Sequence, residues 1–194
     1  MPSAPHAPPQ QAQPQPAFTV LFVPGVTPTK WARIWNERMR RQPLELRSAS
    51  PTEAIAALRE GTADAAFLRD VAADDEFSAI RLYEEQPVVV ASRDHLFSAL
   101  GASEMIALDD LASENLLDGQ DADTVELVAA GVGVATMPQS VARALSRRDV
   151  IARGLRDAAP TTISLVWPID RTTPAIETFI GIVRGRTENS SRGT

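Results

Sequence analysis

Apolar and polar positions change period several times along the chain, and each change marks an element. Residues 18–23, FTVLFV, are β-branched and aromatic, with too little alternation for a half-exposed strand. They predict a strand covered on both faces, as in a parallel sheet. Pro24-Gly25 stops it, and the strand-turn-helix unit over 18–35 becomes the anchor of the fold. Thr27 and Pro28 fit the cap and first position of a helix running to about Arg41. Along it Trp31, Ile34, Trp35 and Arg38 or Met39 recur at the spacing of one helical face. Residues 44–48 form a second short strand. Ser50-Pro51-Thr52-Glu53 is a capping box with proline in the first turn. Ala54, Ile55 and Leu58 face inward from that helix, and Gly61 ends it. Residues 64–68 complete a β-α-β-α-β order, which implies right-handed crossovers and a parallel sheet.

The alternation then breaks. Residues 77–83 and 86–92 are two strands joined by only a few residues, with Pro87 ahead of a valine run. Here the chain is expected to cross into a second lobe. Residues 108–112 read as a short helix and 115–117 as a short strand. Asp123 heads a second capping-box pattern, for a helix ending at Gly131. Met137-Pro138 opens another helix, and residues 149–155 turn back toward the first lobe. Residues 162–167, TISLVW, are a buried strand. Thr173-Pro174 starts a last helix with Ile176, Phe179, Ile180 and Val183 inward. Residues 187–194 are polar and expected to fray. Residues 1–17, MPSAPHAPPQQAQPQPA, lack the apolar and basic regions of a secretory signal. They predict a disordered tail, either a spacer or a ligand for a proline-binding domain.

Composition then removes whole classes of chemistry. A length of 194 residues suits one domain or two small lobes. The net charge of −6 gives no general attraction to DNA or an anionic membrane. No segment is long and apolar enough to span a bilayer. Cysteine is absent, so disulfides, thiolate nucleophiles and thiolate metal sites are excluded. With two histidines a histidine-rich metal site is not expected, and no cofactor is indicated. His95, beside Asp94, could be a general base or a capping residue. Asp74-Asp75-Glu76 could be an acid/base couple or a solvated turn. Gly131 and Gly133 follow a helix rather than a strand, so the dinucleotide fingerprint fails. Trp31 and Trp35 could form an aromatic cage, a core or a subunit contact. Lys30 is the chain's one lysine. As a cation in the first turn of a helix it is disfavoured by a few tenths of a kcal/mol unless an anion sits nearby, the alternative being that it extends into water.

Four blocks carry a family likeness: AIAALREGTADAAF over 54–67, LYEEQPVVVA over 82–91, residues 106–112, and above all VELVAAGVGVATMP over 125–138. In these the chain resembles the effector-binding (substrate-binding) domain of LysR-type transcriptional regulators across about 18–186, and its close is similar to short stand-alone actinobacterial domains. The resemblance implies a two-lobed α/β, type 2 periplasmic-binding-protein-like fold with mixed, mainly parallel sheets. Lobe 1 would be 18–85 plus 157–186. Lobe 2 would be 86–156, shortened because only residues 118–122 join the strand at 115–117 to the next helix. It further implies side-by-side dimers, with Trp31 and Trp35 at the interface, and an effector cleft between the lobes. Thr27, Thr29 and Lys30, Ser50 and Thr52, and Thr136 would line that cleft, since hydroxyls and free N–H groups at helix starts suit a small anion. The expected function is a cytoplasmic effector-binding module without its own helix-turn-helix, acting as a homodimer or paired with a regulator. The rival readings are a protein-interaction module and, last, an enzyme on a binding-protein scaffold.

Overall fold

The computed structural model describes residues 15–101 and 103–185. The apolar run at its start forms strand Phe18–Phe22 (β1), buried along its first four residues. Helix Thr29–Arg38 (α1), strand Leu44–Ser48 (β2), helix Pro51–Glu60 (α2) and strand Ala65–Arg69 (β3) follow. β1 lies between β2 and β3 and is parallel to both. The two crossovers therefore run in opposite lateral directions, and a single handedness places α1 and α2 on opposite faces of the sheet. Strand Phe77–Glu85 (β4) and strand Thr161–Pro168 (β9) complete a five-stranded sheet in the order β2-β1-β3-β9-β4. β9 is antiparallel to both neighbours.

Aromatic packing on the α1 face defines the core of this lobe. Trp35 stacks on Phe18 and Trp31 on Phe67, each pair 4.6 Å apart between centroids. Phe179, on helix Pro174–Val183 (α5), closes the group at 5.4, 5.7 and 6.0 Å from Phe18, Trp35 and Phe67. The Trp35 indole N–H is satisfied within the lobe, donating to the Gln42 carbonyl at 2.9 Å.

After Gln86 the chain enters a second sheet, ordered β6-β8-β5-β7. Its strands are Pro87–Ser92 (β5), Met105–Ile106 (β6), Ala135–Pro138 (β7) and Val150–Leu155 (β8). β5 is antiparallel to β7 and β8, while β6 runs parallel to β8. Leu116 adds a single parallel bridge to Val134. The valine run of β5 is buried on both faces. Val88 and Val90 pack with Val125, Val128 and Met137, and Val89 and Ala91 with Phe97, Ile106 and Leu155. Helix Ala122–Ala129 (α3) and helix Gln139–Ala144 (α4) contribute to the first of these groups. The chain returns to the first sheet through residues 156–160. There Asp70, at φ 56°, pins it by donating to the Thr162 carbonyl at 2.8 Å and accepting from the Thr162 N–H at 2.7 Å.

Several expectations need correction. Both sheets are mixed, but across the strand pairs of the described residues three are parallel and four antiparallel, so parallel pairing does not dominate. The two lobe crossings impose this, because β5, entering the second sheet, and β9, returning to the first, each run against both neighbours. Thr27 does not cap α1. Pro28 takes the cap position, with its carbonyl accepting from Trp31 and Ala32, and no side chain caps the helix. Asp121, not Asp123, caps α3, accepting from the Thr124 N–H at 2.8 Å and hydroxyl at 2.7 Å. Met137-Pro138 belongs to β7, and residues 150–155 stay in the second sheet. Trp31 and Trp35 are 5% and 0% exposed in the single chain, so they belong to the lobe's own core and offer a partner subunit almost no surface. The tails predicted to be disordered, apart from residues 15–17, lie outside the described residues.

The capping network sets how the fold responds to acid. Glu53 is held below its ordinary 4.5 by the Ser50 backbone N–H and then the Ser50 hydroxyl. Asp74 is held below 3.8 by the Phe77 and Glu76 N–H groups, and Asp121 by the N–H and hydroxyl of Thr124. Arg59 lowers Glu76, and Arg147 lowers Asp149. Each carboxylate binds its proton less readily folded than unfolded. Their contribution is therefore complete above the ordinary values and disappears as pH falls through the lowered ones. The melting temperature should hold steady down to that range and fall below it. A melting temperature that rose on acidification through the same range would contradict this.

Candidate functional site

In an open α/β sheet, ligands bind beyond the strand ends where the strand order reverses. Here that point lies between the C-terminal ends of β1 and β3. The Pro24-Gly25 turn leaves β1 there, and Arg69 ends β3. The second lobe meets the first at the same place. Gly25 sits at φ 89°, and a methyl on its Cα would run into Ser140 Oγ and stand 2.9 Å from the Val141 nitrogen. Only a bare Cα allows the turn to approach α4 this closely.

Arg69 ties the junction together. Its Nε and Nη2 donate to Glu85 Oε2 at 3.1 and 2.7 Å. Nη2 also reaches the Pro24 carbonyl at 3.3 Å and Ser140 Oγ at 3.4 Å. The two side chains are only 14% and 6% exposed. One guanidinium thus joins the β1 turn, the strand that crosses between lobes, and the second lobe. Gln86 adds two ties across the crossing, donating from Nε2 to the Leu155 carbonyl at 2.6 Å and accepting from the Gln139 N–H at 3.1 Å. A charge ending a buried strand was the available signal for Arg69. Its partners, 16 and 71 residues away, leave no local pattern.

The six expected ligand residues fall on three separate stretches of the chain. Thr27, Thr29 and Lys30 follow β1, and Ser50 and Thr52 follow β2, so both sets lie at the C-terminal edge of the parallel strands. Thr136 is half-buried on β7, paired with Val89. Thr27, Thr29, Lys30, Ser50 and Thr52 are exposed. Ser50 is engaged by its own helix, where its hydroxyl accepts from the Glu53 N–H at 3.3 Å and Glu53 accepts from the Ser50 N–H at 2.8 Å. The Lys30 ammonium stands 4.6 Å from the Trp31 ring centroid, on a ring whose other neighbour is Phe67. That cation–π contact supplies about 0.5–1 kcal/mol at an exposed site, enough to offset its place at the positive end of the helix. Four cavities of about 310–680 Å³ lie elsewhere, and none is lined by any of these six residues.

The remaining candidates have structural roles. Asp74 accepts from Glu76 and Phe77, and Glu76 pairs with Arg59 at 2.8 Å, so the acidic triplet is a turn. His95 Nδ1 accepts from the Phe97 N–H and its Nε2 lies 3.1 Å from Glu114, which together describe the Nε2–H tautomer of a capping histidine. Among the described residues no group of three or more His, Cys, Asp or Glu is placed to hold a metal. Likewise no helix among them is long and apolar enough to cross a membrane.

With this geometry in hand, comparison with known proteins is decisive for family. The model of the LysR substrate binding domain matches residues 13–124 and 119–188, two segments that overlap over 119–124, at the connection into α3. No curated protein matches the chain. Among solved structures, the BenM effector binding domain with its effector benzoate is similar at a TM-score of 0.74 and 18% identity, covering 93% of this chain and 96% of that one. The H2O2-bound C206S mutant of Corynebacterium glutamicum OxyR gives 0.71 and 20%, covering 91% and 69%. The C199D mutant of the OxyR regulatory domain from Pseudomonas aeruginosa gives 0.68 and 19%, covering 88% and 96%. At these identities the structures establish a shared fold. The family match spans nearly the whole chain, and the chain therefore belongs to the LysR substrate-binding domain family.

Proposed function

We propose that the chain is a small-molecule effector-binding module that takes a small anion at the junction of its lobes and acts in the cytoplasm without catalysis or direct DNA binding. The observation that supports this reading is that α1 and α2 both start at the C-terminal edge of the parallel strands β1 and β2, in a chain of this family. Thr27, Thr29, Ser50, Thr52 and Thr136 supply hydroxyls there, and Lys30 supplies the ammonium. Thermal melts with benzoate, the effector of BenM, and a series of short carboxylates test it. A ligand at a hundred times its Kd adds about 2.7 kcal/mol, a rise of several degrees for a chain of this size. At least one carboxylate should produce that rise, and Lys30→Ala should weaken it. Absence of any rise across the series sinks the reading.

Charge placement favours a second role, as one half of a homodimer or a dimer with a regulator. The exposed side of α1 carries Lys30, Arg33 and Glu37, the last two paired, and Arg40 and Arg41 follow it, whereas α3 exposes Asp123 and Glu126, the latter paired with Arg147, beside Leu127, itself 47% exposed. A basic helix on one subunit and an acidic, leucine-bearing helix on another complement each other.

A further inference from the structure

The second lobe carries a groove of about 680 Å³ that the effector reading does not use. Phe97, Leu100, Met105 and Ile106 form its apolar part, and Leu96 stands at its margin with 68% exposure. Met105 is 42% exposed beside it, and Leu108, two residues beyond β6, equally so. Large apolar side chains gathered at the margin of one groove mark a surface that something covers. The groove lies along β6, the outermost strand of its sheet, whose far edge is unpaired.

Its charge is one-sided. Asp109, Asp110 and Glu114 line it against Arg156 alone, three carboxylates to one guanidinium. Asp110 is engaged in its own turn, accepting from the Ala107 N–H at 3.1 Å. Glu114 Oε2 is held by His95, which leaves Oε1 for a visitor. Asp109 is exposed; its carbonyl accepts from the Ala112 N–H at 3.1 Å, and its carboxylate has no hydrogen bond among the described residues. Arg156 has a carboxylate neighbour of its own, Asp157, at 3.7 Å.

We propose that this groove docks a short basic peptide segment of a partner protein, with leucine-like side chains on the Phe97–Ile106 floor and arginine or lysine against Asp109 and Glu114. Apolar floor and acidic rim together select that chemistry over an acidic or a purely polar segment. The proposal stands apart from the effector site, so either can fail alone.

The probe is a fluorescent nonapeptide of alternating leucine and arginine, read by anisotropy against the full chain, with a leucine–glutamate peptide as control. The leucine–arginine peptide should bind saturably. Leu96→Asp and Asp109→Arg, both at exposed positions and checked for folding by circular dichroism, should each weaken binding by roughly tenfold or more. Lys30→Ala should leave it unchanged. Amide shifts in the labelled protein should cluster at Leu96, Leu100 and Met105. Equal binding of the glutamate peptide, full affinity in both variants, no saturation, or shifts confined to other surfaces would each overturn the proposal. So would a self-associated protein that Leu96→Asp makes monomeric, since the occupant would then be a second copy of this chain.

Discussion

Trp35→Ala should lower the melting temperature by about 10 °C or more, the largest loss we expect from any single substitution in the first lobe. Truncating a buried tryptophan costs about 3–5 kcal/mol in lost transfer and residual cavity. In a chain of this size each kcal/mol is worth about 2–4 °C. Trp35 is fully buried, stacked on Phe18 and edge-on to Phe179. Its removal strips the ring that joins β1 to α1 and α5, and the Gln42 carbonyl loses its donor. Trp35→Phe should recover most of the loss by keeping the stack. A Trp35→Ala protein that melted as before but dissociated from a dimer would show that the indole belongs to an interface. The urea midpoint together with sedimentation separates the two outcomes.

Arg69→Met should be nearly as damaging for a different reason. It removes little apolar contact but leaves the Glu85 carboxylate buried beside an apolar side chain. Breaking a buried pair from one side costs about 3–5 kcal/mol, because the remaining charge has neither water nor partner. Glu85→Gln in the same background should restore much of the stability, since a neutral amide carries no charge to desolvate. Because Arg69 also reaches Ser140, the single variant should loosen the lobes relative to each other before either unfolds. Limited proteolysis would show this as earlier cleavage in the 156–160 crossing. A double variant no more stable than Arg69→Met would contradict the charge argument.

These two sites also separate what the sequence could disclose from what it could not. The α2 boundaries were readable to the residue because Ser50, Glu53 and Gly61 act on atoms within a turn or two of themselves. The same holds for Thr173 at the start of α5. The valine run of β5 marked a strand, and the structure adds that separate groups pack against its two faces. Caps were misplaced where two candidates stood close together. Asp121 and Asp123 both offer a carboxylate, and only the direction of the incoming chain decides between them. Helical spacing put Trp31 and Trp35 on one stripe but could not name what the stripe faced. The answer, Phe18, Phe67 and Phe179, lies on three other elements. The junction was the least legible part, because Arg69, Glu85 and Ser140 become neighbours only when two sheets meet.

Lys30 has a practical consequence of its own. As the chain's one lysine it carries the only side-chain amine, so an amine-reactive dye under conditions that spare the terminus attaches at a single known point. That point stands 4.6 Å from the Trp31 ring and next to the turn where the lobes meet. Unmodified protein thus holds a natural emitter, and singly labelled protein an acceptor, at one end of α1. Changes in the separation of the two lobes become an optical signal once a second label is introduced on α4.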